Sequence, residues 1–569
     1  MVPLMPDALS LKRFLAELDS LLSPLDEKKL RSVFTGYASG LPASARTEFL
    51  GHLRGLCASA PPVQQRDPDL IAEIESFIAA VESGKYYDGW GWDPELRHER
   101  AFGDESWVPR MDTLFTGAAT AFLDSRHDLS AAAHRLLFGA LALDGDEPVF
   151  SYEFSPAESL TTDLVEAGAR WLRSIYELAA DPGEAAEVMA ETWLELLPHG
   201  ARPSSLLAVR ETLPTEPANL EVFYPRWSQE LVERSGGHDP LRGRLLREVA
   251  AATGNVSALI EAARKPGLGQ PHAYLDLVDA LRDHGDEEAA LDICREGLGL
   301  LSGGDRSGWT AYQWAPLAET AADLAYGKEA VEFRIQAFTL ATSTRRLVAL
   351  HRAAEAQHSG SGGQVAGEAA DRLAAGAPGL AHHHLANFRA QALLLAGRVD
   401  DALSLLPTAN AVANGASDTT LTVLPYVLAA SCGAVAHRDW ENTVLHTMLA
   451  ATADAGHSVF YGDDHRADDV ETLSHLLERA LREQISTAPE RTAWLRTAHG
   501  VIDRWIGTTL NGKQRALYGD AARLAAALTE TGIILDGESV YLDGVIDTYR
   551  RYVAFRREAD KVRRESVLL

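Results

Sequence analysis

Apolar side chains along much of this chain recur every three or four residues, and polar turns interrupt them at limited intervals. The clearest stretch runs from His272 to Leu301. Tyr274, Leu277, Val278 and Leu281 share one face of a first helix, and Asp283-His284-Gly285-Asp286 breaks it. Ala289, Ala290, Ile293, Cys294, Gly297 and Leu298 then form the stripe of a second helix. Alternating strand patterns are scarce and Ala and Leu dominate, so the pattern predicts an all-α protein. One such helix pair cannot bury its own apolar face, which implies neighbours of the same kind.

A small residue early in each second helix sets a register at Ala258, Ala290, Ala330, Ala369, Ala402 and Thr443, with separations of 32, 40, 39, 33 and 41 residues. From Gly285 to Leu291 a turn Gly is followed five residues later by Ala and then Leu, and Gly397 to Leu403 repeats the arrangement. The glycine permits a left-handed turn, and the alanine lets two helices approach closely. These residues resemble tetratricopeptide repeats, whose helix pairs recur at about 34 residues. Gly254 and Gly327 reach their Ala in four and three steps, and no copy carries the paired Trp and Tyr of that family. The resemblance implies an α-solenoid of antiparallel helix pairs with helical N- and C-terminal caps. Such folds expose long surfaces suited to a peptide or another protein.

Residues 1–58 read as an N-terminal helical segment, opening on an amphipathic helix with Leu11, Phe14, Leu15 and Leu18 on one face. Ser59-Ala60-Pro61-Pro62 through Asp67-Pro68-Asp69 reads as a linker. Residues 70–235 form a helical region with unusual loops around 84–110 and 144–158; 236–480 hold the repeat array; 481–569 form a C-terminal helical cap. Tyr518 to Leu528, Tyr549 to Glu558 and the aromatic-acidic stretch Tyr86 to Trp107 are similar to bacterial helical-repeat proteins that accompany SWIM-type zinc fingers. The finger itself needs Cys-x-Cys and Cys-x-His, and neither occurs, so no DNA-linked role follows from that similarity.

Charge narrows the partners. With 53 Lys and Arg against 81 Asp and Glu, the net charge of −28 repels nucleic acid and anionic membranes. The one basic block is the C-terminal helix, with Arg550, Arg557, Lys561 and Arg564 on one side and Tyr552, Phe555, Ala559 and Val562 opposite. Cys57, Cys294 and Cys432 give neither a disulfide framework nor a zinc pattern, and Cys294 reads as a small core hydrophobe. No run approaches the roughly 20 apolar residues of a transmembrane helix, and the N-terminus lacks a signal-peptide pattern. The expectation is a cytoplasmic protein without a cofactor.

The densest oddity is Tyr86-Tyr87-Asp88-Gly89-Trp90-Gly91-Trp92-Asp93-Pro94, continuing to Phe102, Trp107 and Arg110. Aromatics in such a segment either pin a long loop or present a recognition surface. The candidate binding residues are Tyr86, Tyr87, Trp90, Arg97 and Arg110. An extended chain would put the rings of Trp90 and Trp92 on one side. Trp92 and Trp107 are expected to pack inward, Tyr86 and Arg97 to face outward. Asp463 to Asp469 lacks the Gly and closing Glu of a calcium loop and reads as a helix-capping turn. His382-His383-His384 opens a helix on which the three point in three directions, and His127 and His134 lie too far apart on a helix to chelate together. No phosphate loop, Gly-x-Ser-x-Gly elbow or His-Glu-x-x-His occurs. These features favour a non-enzymatic scaffold that binds a protein or peptide. The alternatives are an enzyme with a site near 84–110 or 463–469, and a nucleic-acid-linked factor acting through the C-terminal helix.

Overall fold

The computed structural model describes residues 69–144, 148–234, 239–267, 269–301, 309–376, 382–406, 417–454 and 472–569. The helical segment 1–58 with Cys57, the linker up to Pro68, the cluster Asp463 to Asp469 and the side chains of His382 to His384 lie outside the described residues. The chain divides into two compact units, Met1–Gly267 and Leu268–Leu569.

The first unit contains α1 (Asp69–Glu82), β1 (Gly89–Asp93), β2 (His98–Phe102), α2 (Trp107–Leu123), α3 (His127–Leu141), α4 (Leu164–Leu178), α5 (Pro182–Glu195), α6 (Leu206–Arg210), α7 (Leu220–Glu233), α8 (Pro240–Thr253) and α9 (Ser257–Arg264). Several starts are fixed by side-chain caps: Asp163, Asp181 and Ser205 accept from the amides of Glu166, Glu184 and Ala208. Each helix then covers the stripe of a neighbour, α2 on α3, α3 on α4, α4 on α5, α5 on α7. Trp171 stacks on Phe138 at 5.5 Å. The buried Arg173 is satisfied by Glu177 and by the carbonyls of Arg210 and Thr215, which ties α4 to the chain after α6.

The second unit is a stack of helix pairs: α10 (Gln270–Asp283), α11 (Glu287–Leu300), α12 (Ala315–Leu324), α13 (Gly327–Leu340), α14 (Thr344–Gln357), α15 (Gly362–Gly376), α16 (His382–Leu395), α17 (Val399–Ser404) and α18 (Ser417–Cys432). Consecutive helices from α10 to α17 pack side by side, and α10 also reaches α12, as α13 reaches α15. Short turns at Gly285 and Gly397 make the flanking helices antiparallel. This is an all-α solenoid of antiparallel helix pairs. Both turn glycines are left-handed, with φ of 78° and 69°. Five residues after each, Ala290 and Ala402 are wholly buried. Gly254 is left-handed too, and five residues on the buried side chain is Leu259, while Ala258 is half-buried. Ala330 is likewise half-buried beside the buried Val331. The register thus shifts by one in the two copies whose spacing departs from five.

A ladder of ion pairs runs along the second helices. Arg295 on α11 donates to Glu329 on α13 at 2.8 Å, Arg372 on α15 to Glu332 on α13 at 2.9 Å, and Arg398, just before α17, to Asp371 on α15 at 2.8 Å. Each exposed pair contributes at most about 1 kcal/mol, so the ladder sets alignment more than stability.

Beyond the array come α19 (Val444–Asp454), α20 (Leu473–Glu483), α21 (Ala488–Asn511), α22 (Tyr518–Asp536), α23 (Tyr541–Thr548) and α24 (Val553–Glu565). The alanine-rich α22 lies at the centre, against α18, α21, α23 and α24. Its buried Glu530 accepts from the amides of Val444 and Leu445 at the start of α19 and from the Ser566 hydroxyl at 2.6 Å. That carboxylate caps one helix and holds the C-terminal tail. Phe555, Ala559 and Val562 of α24 are buried, and Arg550, Arg557, Lys561 and Arg564 are exposed.

Replacing Ala290 by Leu overpacks the α10–α11 contact. The expected loss is about 1–3 kcal/mol. It is measured as a lowered urea midpoint at unchanged slope. Ala258→Leu, at a half-buried site, is expected to shift the midpoint less.

Candidate functional site: an aromatic hairpin

The helical period fails after α1, and the Gly-Trp-Gly-Trp-Asp sequence alternates with period two. The result is an antiparallel hairpin in which Trp90 faces Ala101 and Trp92 faces Glu99. At its tip, Asp93 accepts from the amides of Leu96 and Glu95, and these bonds hold its carboxyl below the usual value. Arg97 closes the tip with φ of 61°. Ala101 exchanges both backbone hydrogen bonds with Tyr152, at 3.2 and 3.1 Å. The two unusual loops, 84–110 and 144–158, therefore meet at a single bridge beside the two-stranded sheet.

The chain flanking this bridge and the hairpin is held by an aromatic anchor. Trp107 is 0% exposed, and its Nε1 donates to the Ser151 carbonyl at 2.9 Å. Its ring meets Phe150 at 4.5 Å, Phe150 stacks near Phe77 at 6.5 Å, and Phe77 lies 5.7 Å from Tyr86. Gly103 permits this closure, since a Cβ there would come within 2.4 Å of the Tyr86 carbonyl.

The outer face is open. Trp90 is 51% and Trp92 61% exposed, on the same side of β1 as the alternation requires. Trp90 donates to Glu99 at 3.2 Å and sets its edge against Tyr152 at 6.5 Å. At the tip His98, which pairs with Asp93 and so belongs to the other side of the ribbon, stacks on Phe154 at 5.1 Å, and Phe154 is 69% exposed. On the opposite face the Phe102 ring lies across Gly91, with the Arg100 guanidinium over it at 5.3 Å. Arg100 also pairs with Asp93 and Glu105.

Two expectations are reversed. Trp92 faces outward, and Tyr86 is buried at 4% exposure. The reason is that Tyr86 precedes the hairpin and falls back onto α1, while the strand pairing turns Trp92 away. Trp107 is pinned and Arg97 exposed, as the sequence suggests. Tyr87 is half-buried. Arg110 sits on α2 and pairs with Glu73 of α1 at 3.3 Å, so it joins two helices rather than extending the hairpin. Sequence reasoning missed Tyr152, Phe154 and Glu99. The alternation of Ser151-Tyr152-Glu153-Phe154 was the available signal.

Among the described residues, the other candidate groups are packed into the helices. Among the described residues no three or more His, Cys, Asp or Glu side chains gather as a metal site. Cys294 is buried, and burial pushes its thiol up to about 12. His127 packs edge-on to Phe122 at 5.5 Å. His134 is wholly buried, its Nδ1 lies 2.9 Å from the Ser130 carbonyl, and its Nε2 has no partner. Burial brings its pKa down to about 4. Among the described residues no helix is long and apolar enough to cross a membrane.

No family model matches the chain, and no curated protein matches it. Among solved structures the chain is similar to a circular tandem repeat protein with novel repeat topology and enhanced subunit contact surfaces. The two share 12% identity over 87% of this chain and 94% of that one, at a TM-score of 0.16. A likeness this loose carries no argument. The class rests on the helix packing itself: a helical-repeat solenoid protein that bears, among the described residues, an aromatic β-hairpin.

Trp107→Ala is expected to cost about 3–5 kcal/mol through the cavity it leaves. Trp92→Ala, at an exposed site, is expected to stay within about 0.5 kcal/mol of the parent. Thermal melting of the two variants checks the contrast. His134 generates a pH prediction. Neutral when folded, it binds a proton in the unfolded chain below about 6.5. Its contribution is therefore complete above that pH and is lost as pH falls towards about 4. The loss is on the order of 3 kcal/mol. His134→Phe should flatten the stability profile of the parent across that window; an unchanged slope would refute the assignment.

Proposed function

We propose that the protein is a non-enzymatic helical-repeat scaffold of the cytoplasm that captures a protein or peptide on the outer face of the 89–102 hairpin. The observation that carries this reading is the exposure of Trp90 and Trp92 side by side on β1, in a hairpin bridged at Ala101 to Tyr152, next to the Ser151 carbonyl that Trp107 holds. Exposed apolar clusters rimmed by polar groups mark interaction sites, and Trp is prominent among the residues that dominate binding energy. Glu99 beside Trp90 supplies a polar rim. Trp90, Tyr87 and Arg97 are the proposed contacts, joined by Trp92. Kinship with SWIM-associated helical-repeat proteins remains a proposal resting on the Tyr518 to Leu528, Tyr549 to Glu558 and Tyr86 to Trp107 segments.

The test is affinity capture from the native host with three baits. The parent and Tyr326→Ala, which alters an exposed aromatic in the second unit, should bring down the same partner. The Trp90→Ala/Trp92→Ala double variant should lose it while melting as the parent does. Equal capture by all three would overturn the hairpin reading.

A further inference from the structure

The second unit holds a groove of about 440 Å³ lined by Asp503 and Ile506 of α21 and by Tyr541, Gly544, Val545, Thr548 and Tyr549 of the α23 segment. We propose that this groove receives the guanidinium of an arginine side chain presented by a basic peptide. The proposal goes beyond the hairpin reading and shares no residue with it.

The carboxylate of Asp503 is preorganised. The Tyr541 hydroxyl donates to its Oδ1, and Nδ1 of His499, one helical turn earlier, lies 3.0 Å from its Oδ2. The His499 ring meets Tyr541 edge-on at 5.1 Å and braces it. Each carboxylate oxygen accepts two hydrogen bonds, so one direction on each remains for a second donor. A guanidinium presents paired donors at that spacing. The half-buried Tyr541 and Tyr549 line the groove, and an aromatic ring attracts a planar cation that stacks on it.

Charge points the same way. Neither Lys nor Arg lines the groove, and among the described residues the ion-pair partner of Asp503 is a histidine. The charged side chain among those lining the groove is the Asp503 carboxylate, which favours a cationic partner there. The groove is also kept open by glycine. A Cβ on Gly544 would meet nothing within 4 Å, and one on Gly507 would meet only the Tyr549 hydroxyl, at 3.5 Å. Alanine would fit at both helical positions and favour the helix more. Glycine at 544 leaves the space unfilled.

The test uses the peptide acetyl-Leu-Gly-Arg-Gly-Leu-amide with the full-length protein, read by saturation-transfer difference NMR on the peptide. The arginine side-chain signals should saturate, and citrulline in place of arginine should weaken binding about tenfold or more. Asp503→Asn keeps an acceptor for Tyr541 but removes the charge, and should weaken binding by a similar factor. Gly544→Leu fills the groove without touching Asp503 and should abolish binding; it keeps the test decisive if Asp503→Asn melts early. Equal binding of the arginine and citrulline peptides overturns the proposal, as does parent-like binding by the folded variants. Acetyl-arginine methylamide binding as tightly as the pentapeptide would overturn the peptide assignment in favour of a small guanidinium compound. The Trp90→Ala/Trp92→Ala protein should bind the peptide as the parent does, which separates this site from the hairpin.

Discussion

A helix with one apolar stripe is stable in water when that stripe is covered, and through the repeats of this chain the cover is a neighbouring helix. The contact is closest where side chains are smallest. Ala290 has no exposed surface, and at Gly297 a Cβ would come within 2.8 Å of Leu317 and 3.0 Å of Tyr274. Those two positions bring α10, α11 and α12 together. Once the inner faces are committed, the outer faces of the second helices can carry the Arg295–Glu329, Glu332–Arg372 and Asp371–Arg398 ladder. The array then needs an end. Ala521, Ala522, Ala525, Ala526 and Ala527 make α22 slim enough to be buried among several helices, and α24 closes over it with its cations outward.

The hairpin answers a different constraint. A two-stranded ribbon is marginal by itself in water. Here it gains a bridge at Tyr152 and a base of Phe77, Tyr86, Trp107 and Phe150. With that base in place, Trp92 needs no packing role, and Trp90 packs only by its edge on Tyr152. A rigid support beneath exposed aromatics also lowers the entropy lost when a partner is bound.

The helices and their pairing were legible because the apolar period and the turn glycines are local signals. Even the failure at Ala258 was local: counting five from Gly254 leads to Leu259, which is the buried one. The hairpin was legible only in part. Alternation put Trp90 and Trp92 on one side, but the side that faces inward is decided by residues 149–152, distant in sequence. The Trp107–Ser151 bond spans 44 residues. Tyr86 could not be assigned for the same reason, since its burial depends on Phe77 of the preceding helix and on Gly103 beyond the hairpin. The groove at Asp503 was not legible at all. It needs His499 and Asp503 on one helix to meet Tyr541 from another, 38 residues further on.

Electrostatics links the two surfaces. Many arginines are committed internally, in the ladder or in bonds such as those of Arg173 and Arg346. The acidic excess of 28 has no internal counterpart and must be balanced from outside. At physiological salt the screening length is about 8 Å, so the excess acts locally rather than as a field over the whole molecule. What matters is then the charge beside each apolar surface. Glu99 adjoins Trp90, and Glu153 adjoins the His98–Phe154 stack. Indole faces also attract cations. The partner proposed for the hairpin is therefore best matched by an apolar centre bordered by Lys or Arg. Salt should act on such a complex mainly through its rate of formation, because the border charges steer the encounter while the buried aromatic contact governs how long it lasts.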